Sequence, residues 1–255
     1  MPSPQPTISM PIEDFLVMKH RLGWKHEYWD QTARLSPQYT AVADFELPVA
    51  RTFVAEPKLS PGYELRPVDH SDCAAIVKLF QRAFDQSIEY TGWSDSDFQK
   101  DAEASAESFF GRRHSAGRTT GYLNQSFVVT LSDAVVAALQ IRPDHRGPVV
   151  EPVMVDPEHH RQGLGKAMLC AVLAVLRQAD IPTLYSRCHL GNSASLNWHA
   201  GVGFHEVPNY FSACHRVHHF EWMVRHFEHL GHADAAECMR QKANEWKKWA
   251  VLPER

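Results

Sequence analysis

The alternation of apolar and polar positions divides this chain into an ordered series of short strands and helices. Near the start, Ile12, Phe15, Leu16 and Leu22 form a stripe at helical spacing, with Pro11 suited to the first turn and Gly23 to the stop. Two β-like runs, 24–35 and 39–49, meet at Ser36-Pro37-Gln38 and read as a hairpin, and Pro57, Pro61 and Gly62 mark a linker after it. A strand beginning at Tyr63 leads into a helix with Ile76, Val77, Phe80 and Phe84 on one face, for which Asp69 or Ser71 is the candidate cap. A second helix is predicted over 95–110, ending at Gly111. Runs 126–131 and 134–141 form a hairpin over Ser132-Asp133, and 149–155 supplies the next strand. Toward the end the pattern becomes two helices, 220–230 and 233–250, parted by Gly231. Met239, Ala243, Trp246 and Ala250 line one side of the second, a stripe that predicts packing on the core or on a second copy of the chain.

Between these stretches the apolar strand ending at Val155 gives way to a helical stripe of Leu164, Met168, Val172, Leu173 and Leu176. The turn from Arg161 to Lys166 therefore falls at a helix N-terminus, whose first N–H groups lack intrahelical partners and attract anions. Gly163 and Gly165 carry no Cβ, so a diphosphate can approach the main chain. As a dinucleotide fingerprint the turn is weak, because Met168 stands where the third glycine is needed. Nor is it a P-loop, since His160 and Ala167 occupy the positions of the leading glycine and the magnesium-binding hydroxyl.

A second segment, Gly191-Asn-Ser-Ala-Ser-Leu-Asn-Trp-His-Ala-Gly-Val-Gly-Phe204, follows one more strand-like run beginning at Thr183. The first segment resembles the acyl-CoA motif of the GNAT N-acetyltransferase superfamily, Val-x-Pro followed by Arg/Gln-x-x-Gly-x-Gly, and the second resembles that family's Asn-x-x-Ala-x-x-x-Tyr-x-x-x-Gly-Phe. With the surrounding strands the resemblance covers roughly residues 60 to 217. Three positions depart from it: His160 for Arg or Gln, Ser195 for Ala, and His199 for Tyr. The resemblance implies an α+β fold with a mixed sheet in the GNAT order, strand, two helices, three strands, helix, strand, helix, strands. The expected division is an N-terminal extension of helix and hairpin at 1–60, the GNAT domain at 61–217, and a C-terminal helical extension at 218–255.

The implied activity is transfer of an acetyl group from acetyl-CoA to a primary amine, small-molecule or peptide. The resemblance assigns Arg161, Gln162, Gly163, Leu164, Gly165 and Lys166 to the diphosphate, the main chain of Val153, Met154 and Val155 to the pantetheine and thioester, and Asn192 to its helix start and the cofactor. A lysine-like amine of pKa about 10.4 is only about one part in 2,500 neutral at pH 7, so a base is useful. Glu151, four residues before Val155, stands where many members of the family carry a catalytic glutamate. Its neighbour Pro152 predicts a local break or bulge in strand pairing. His199, at the family's tyrosine position, is either the proton donor to the departing thiolate or a residue lining the site. For the acceptor, Asp85, Glu89, Tyr90 and Trp93, with Tyr210 and Phe211 near the last hairpin, offer carboxylates beside aromatic faces, suited to a cationic amine. Two rival readings stand beside this one: a non-catalytic acyl-CoA sensor with the same fold, and an enzyme using a different acyl group.

Composition narrows the setting. The 255 residues hold enough apolar content, 44%, for a sizeable core. A formal net charge of −4 gives no reason to expect nucleic acid as a partner. Five scattered cysteines and the lack of a signal-like or membrane-length run predict a cytoplasmic protein without a membrane partner, and the C-terminal helices leave a homo-oligomer open. The chain carries 16 histidines, several in Cys214-His-Arg-Val-His-His219, yet no tight metal-binding spacing, so no metal is assigned.

Overall fold

The computed structural model describes residues 7–52, 58–111 and 123–251; Pro57 of the expected linker lies outside them. The chain divides into two compact units, one formed by Phe45–Arg187 and Trp198–His205, the other by Pro2–Asp44, Cys188–Asn197 and Glu206–Arg255.

The larger unit is built on a seven-stranded sheet. Its strands are β4 (Val42–Pro48), β5 (Tyr63–Pro67), β6 (Phe127–Leu131), β7 (Ala134–Asp144), β8 (Gly147–Val155), β9 (Thr183–His189) and β10 (His205–Val207), in the order β10-β4-β9-β8-β7-β6-β5. Pairing from β5 through β8 is antiparallel and β8 with β9 is parallel, so the sheet is mixed as expected. The β6–β7 turn, Ser132-Asp133, has both residues at positive φ, the geometry that matches strand twist in a two-residue hairpin.

Helix α2 (Cys73–Phe84) follows a single 3₁₀ turn that Asp69 caps: its carboxylate accepts from Ser71 N at 2.8 Å, while Asp72 accepts in return from Asp69 N at 2.8 Å. Helix α3 (Asp95–Gly111) lies beside α2, and both pack on a core of Val68, Val128, Val135, Ala138 and Met154. Helix α4 (Leu164–Gln178) packs on β6, β7 and β8, burying Leu164, Met168, Val172, Leu173 and Leu176, the stripe that its sequence predicts. Helix α5 (Ser193–Val202) completes the second motif.

In the smaller unit, β1 (Thr7–Ser9), β2 (Trp24–Trp29) and β3 (Thr32–Pro37) form a three-stranded antiparallel sheet in the order β1-β3-β2. The hairpin differs from the expectation. Its turn is Asp30-Gln31, with φ of 48° and 53°, and Pro37 ends β3 opposite Trp24 instead of forming a turn. Neither turn residue is glycine, so the strand pair read as one continuous run, and β4 belongs to the large sheet. Helix α1 (Ile12–Val17) also stops five residues before Leu22. Phe15, Ala33 and Trp222 form one buried apolar cluster in this unit.

The expected strands after α5 reduce to β10 alone. Asn209 starts a helix there: its side chain accepts from Ser212 N at 2.8 Å, its N–H bonds Ser212 Oγ, and α6 (Tyr210–His229) runs on from this capping box. Tyr210 and Phe211 therefore occupy a helix start and not a hairpin. Gly231, with φ of 72°, separates α6 from α7 (Ala233–Lys247).

Candidate active site

Strand β8 is interrupted on both edges at the same place. On the β9 side the parallel ladder consists of Val149↔Tyr185 and Val150↔Ser186 and stops there. On the β7 side Ile141 pairs with Val150 and Leu139 with Val153, so the single residue Gln140 faces both Glu151 and Pro152, a bulge. Pro152 cannot donate to a ladder, and the bulge is where its lack of an N–H is tolerated. The opening leaves Glu151 exposed, with Val153 half-buried and Met154 2% exposed. The Val155 carbonyl accepts a hydrogen bond from His160 Nε2 at 3.1 Å.

Arg142 braces the bulge. Its Nε donates to the Glu151 carbonyl at 2.7 Å, Nη2 donates to Ser105 O at 2.9 Å and Gln140 Oε1 at 3.2 Å, and Nη1 reaches Ser108 Oγ at 3.3 Å, so α3 and the bulge share one guanidinium. Just beyond β8, Asp156 caps the Pro157 turn and accepts from Arg82 Nε of α2 at 2.5 Å. Burial pushes its carboxyl upward, but the Glu158 N–H and Arg82 outweigh that and hold it below the usual carboxylate range.

The chain then enters α4 through a turn with two residues in the left-handed region, Arg161 at φ 61° and Gly163 at φ 77°. Ala167 N donates to Gly163 O at 2.9 Å and begins the helical ladder, so the N–H groups of Leu164, Gly165 and Lys166 precede it and form an anion-attracting end. Arg161 and Gln162 are exposed there. Gly165 is buried, and a Cβ on it would lie 3.0 Å from Trp198 Nε1. Its bareness makes room for an indole on α5; Gly163 is the glycine that shapes the turn. Among the described residues the buried Nε1 of Trp198 has no hydrogen-bond partner.

His199 is 1% exposed and lies among Phe45, Trp198 and Phe204, stacked on Phe45 with ring centroids 4.4 Å apart. Its Nε2 is 2.8 Å from Ser186 Oγ, and that hydroxyl reaches Val150 O at 3.4 Å. In the smaller unit, Asn192 caps α5 by accepting from Ser195 N at 3.0 Å.

The expected acceptor residues follow α2. Asp85 is exposed at its C-terminus, and Glu89 and Tyr90 lie in the one-turn segment Ile88–Tyr90. Tyr90 is an anchor: its hydroxyl donates to Asp101 Oδ2 at 2.7 Å and its ring packs among Phe80, Phe84, Trp93 and Phe98. Burial, then Asp101, raises its phenol above the ordinary range. Among the described residues no group of three or more His, Cys, Asp or Glu is placed to hold a metal ion, and no helix is long and apolar enough to cross a membrane.

Sequence reasoning missed Ser186, Trp198 and Arg142. Ser186 left a trace, as a polar residue at an inward position of β9 between buried Leu184 and Cys188.

A mixed sheet whose parallel ladder ends early, with a glycine-shaped, anion-attracting helix N-terminus beyond the same strand, defines the class as an α+β protein. A model of the acetyltransferase (GNAT) family matches residues 74–204, and the chain belongs to that family. The [Ribosomal protein bS18]-alanine N-acetyltransferase of Escherichia coli (strain K12) is 32% identical over 62 residues, which span 23% of this chain and 42% of that protein. Among solved structures, the ribosomal-protein-S18-alanine N-acetyltransferase from Escherichia coli matches 58% of this chain and 82% of its own with 21% identity and a TM-score of 0.41. A PaiA N-acetyltransferase from Thermoplasma acidophilum in complex with coenzyme A matches 56% of this chain and 89% of its own, at 11% identity and a TM-score of 0.46.

Proposed function

We propose that this protein is an acetyl-CoA-dependent N-acetyltransferase acting on a primary amine. The observation that carries the reading is the end of the β8–β9 ladder at Val150 and Ser186, followed along the same strand by the glycine-shaped start of α4. An acyl-CoA fits these residues: an extended chain with amide groups suits the opened edge of β8, and a diphosphate suits the N–H groups of Leu164, Gly165 and Lys166 with Arg161 and Gln162 beside them. When bound, acetyl-CoA supplies an activated acyl group and a thiol leaving group. Val153, Met154 and Val155 would line the acyl carrier with their main chain, and Asn192 sets the start of α5.

Glu151 is the base in this reading. It is exposed, where an incoming ammonium can reach it, and Arg142 holds its main chain. Asp85 and Glu89, with Trp93, supply the acceptor's electrostatic attraction. The Escherichia coli relative is named for the alanine of a ribosomal protein, so peptides with an N-terminal alanine belong in the acceptor panel beside small amines.

The test is a thiol-release screen with acetyl-CoA across such a panel. We expect turnover with at least one amine, lowered about a hundredfold by Glu151→Gln with acetyl-CoA affinity kept and the rate partly restored at high pH. Tight acetyl-CoA binding with no thiol release from any amine would instead make the protein an acyl-CoA sensor.

A further inference from the structure

The imidazole nitrogen of His199 that points to β9 is engaged by Ser186, so the hydroxyl, and not the ring, stands at the strand edge where the ladder ends. Both side chains are enclosed, Ser186 at 2% exposure and His199 at 1%. Ser186 is the last β9 residue paired with β8, so it sits where the ladder ends. With the ring proton on His199 Nε2, that nitrogen donates to Ser186 Oγ, and among the described residues the hydroxyl hydrogen is left with Val150 O at 3.4 Å, long for a hydroxyl donor.

We propose that Ser186 donates a hydrogen bond to the sulfur of the departing thiol, and that His199 is a positioning residue whose Nε2–H donates to Ser186 Oγ and turns the hydroxyl outward. The inference rests on the acetyl-CoA reading above. As the amine nitrogen bonds to the acyl carbon, the carbon–sulfur bond breaks and its electron pair stays on sulfur. Ser186 keeps its proton. A serine hydroxyl is a far weaker acid than a thiol of pKa about 8.5, so it stabilises the thiolate without surrendering hydrogen. The amine's proton goes to Glu151 and on to water, and the sulfur takes its proton from water on release. A donor aimed at developing charge is the kind of group whose removal lowers turnover by about a hundredfold.

This assigns the family's tyrosine function to a residue on a different element. His199 shapes the donor, and Ser186 is the catalytic residue.

The deciding measurement is the ionisation of coenzyme A thiol bound to the protein, followed by ultraviolet thiolate absorbance against pH. The wild type is expected to hold the bound thiol below its free value. Ser186→Ala should raise it by about one unit, a tenfold change, with coenzyme A affinity altered less than about threefold. Ser186→Thr, which keeps the hydroxyl, should stay near wild type. An equal thiol ionisation in wild type and Ser186→Ala overturns the proposal. Should Ser186→Ala fail to fold, His199→Phe carries the test: a raised bound-thiol value supports the proposal and an unchanged one overturns it. Failure of the wild type to bind coenzyme A at all would instead overturn the acetyl-CoA reading.

Discussion

Gly165 on α4 lies against Trp198 on α5 so closely that a Cβ on the glycine would stand 3.0 Å from the indole nitrogen. This contact joins two segments that are separate in sequence, the glycine turn and the second motif. It also reverses the ordinary helix preference at position 165. Alanine is favoured over glycine within a helix by about 1 kcal/mol, but here it meets the indole. Gly165→Ala is expected to destabilise the protein by about 1–3 kcal/mol through overpacking. In a Trp198→Phe background the same change should be stabilising, because the smaller ring vacates the space. Urea denaturation of the four proteins checks the change of sign, and equal effects in both backgrounds would remove the contact from the explanation.

Gly23 is constrained more severely. It sits at φ 79°, and a Cβ there would be 2.5 Å from Gly191 N and 2.8 Å from His189 Cε1. His189 is itself fixed, since its Nδ1 accepts from Gly191 N at 3.0 Å and its Nε2 donates to Gln38 O at 2.9 Å. The N-terminal segment thus supports the loop that carries Asn192. Gly23→Ala should cost at least about 2 kcal/mol, combining a strained φ with a main-chain clash. A melting temperature within a degree or so of the wild type would contradict this.

Four histidines crowd the smaller unit. His20, 4% exposed, has its Nδ1 3.0 Å from His219 Nδ1, stacks on His26 at 4.2 Å, and meets His218 edge-on, with Arg225 nearby; Arg216 and Lys242 act on His219, and Glu221 opposes on His218. Burial, then the neighbouring rings and cations, lowers His20 to about 2 and His219 to about 4, and His26 and His218 also move down. Folded values below the unfolded 6.5 mean that the unfolded chain takes up protons first as pH falls. The stability contributed is complete above that value and is lost progressively below it, toward the folded values. Denaturation midpoints should therefore drop between about pH 7 and pH 5, and His20→Phe should flatten the dependence. A flat wild-type profile over that range would contradict the prediction.

Arg142 connects the bulge to α3. Arg142→Met removes the donor from the Glu151 carbonyl and leaves Ser105 O and Gln140 with one partner fewer, a loss of about 1–3 kcal/mol. If Glu151 is the base, turnover should fall about tenfold while KM for acetyl-CoA changes little, because the carbonyl held is at the reacting end of β8. Arg142→Lys cannot reproduce the fork and should recover little of either. Steady-state kinetics beside a thermal melt separates the two effects.

Much of the fold was legible because local physics agrees with the final structure. The stripe of α4 is buried as its spacing requires, Asp69 caps where a short acidic side chain precedes an apolar run, and Ser132-Asp133 turns where two strands end. The failures have equally local reasons. Asp30-Gln31 adopts a left-handed turn without glycine, Pro37 ends a strand instead of bending it, and the Asn209–Ser212 box starts α6 ten residues earlier than apolar spacing indicated. Helix α6 has weakly segregated faces, with only Ser212, Ala213, Trp222 and Met223 buried, so its periodicity was faint.

The order of the strands and helices around the two motifs, the anion-attracting start of α4 and the break at Pro152 are properties of the sequence itself, because each follows from backbone constraints within a few residues. The partners of those features are not. That Gln140 faces two residues, that β4 lies beside β9, that Gly165 yields its space to Trp198, and that Ser186 meets His199 were decided by the tertiary structure. The reason is physical: strand register, side-chain close packing and buried hydrogen bonds join residues far apart along the chain, and no short window contains both members of such a pair.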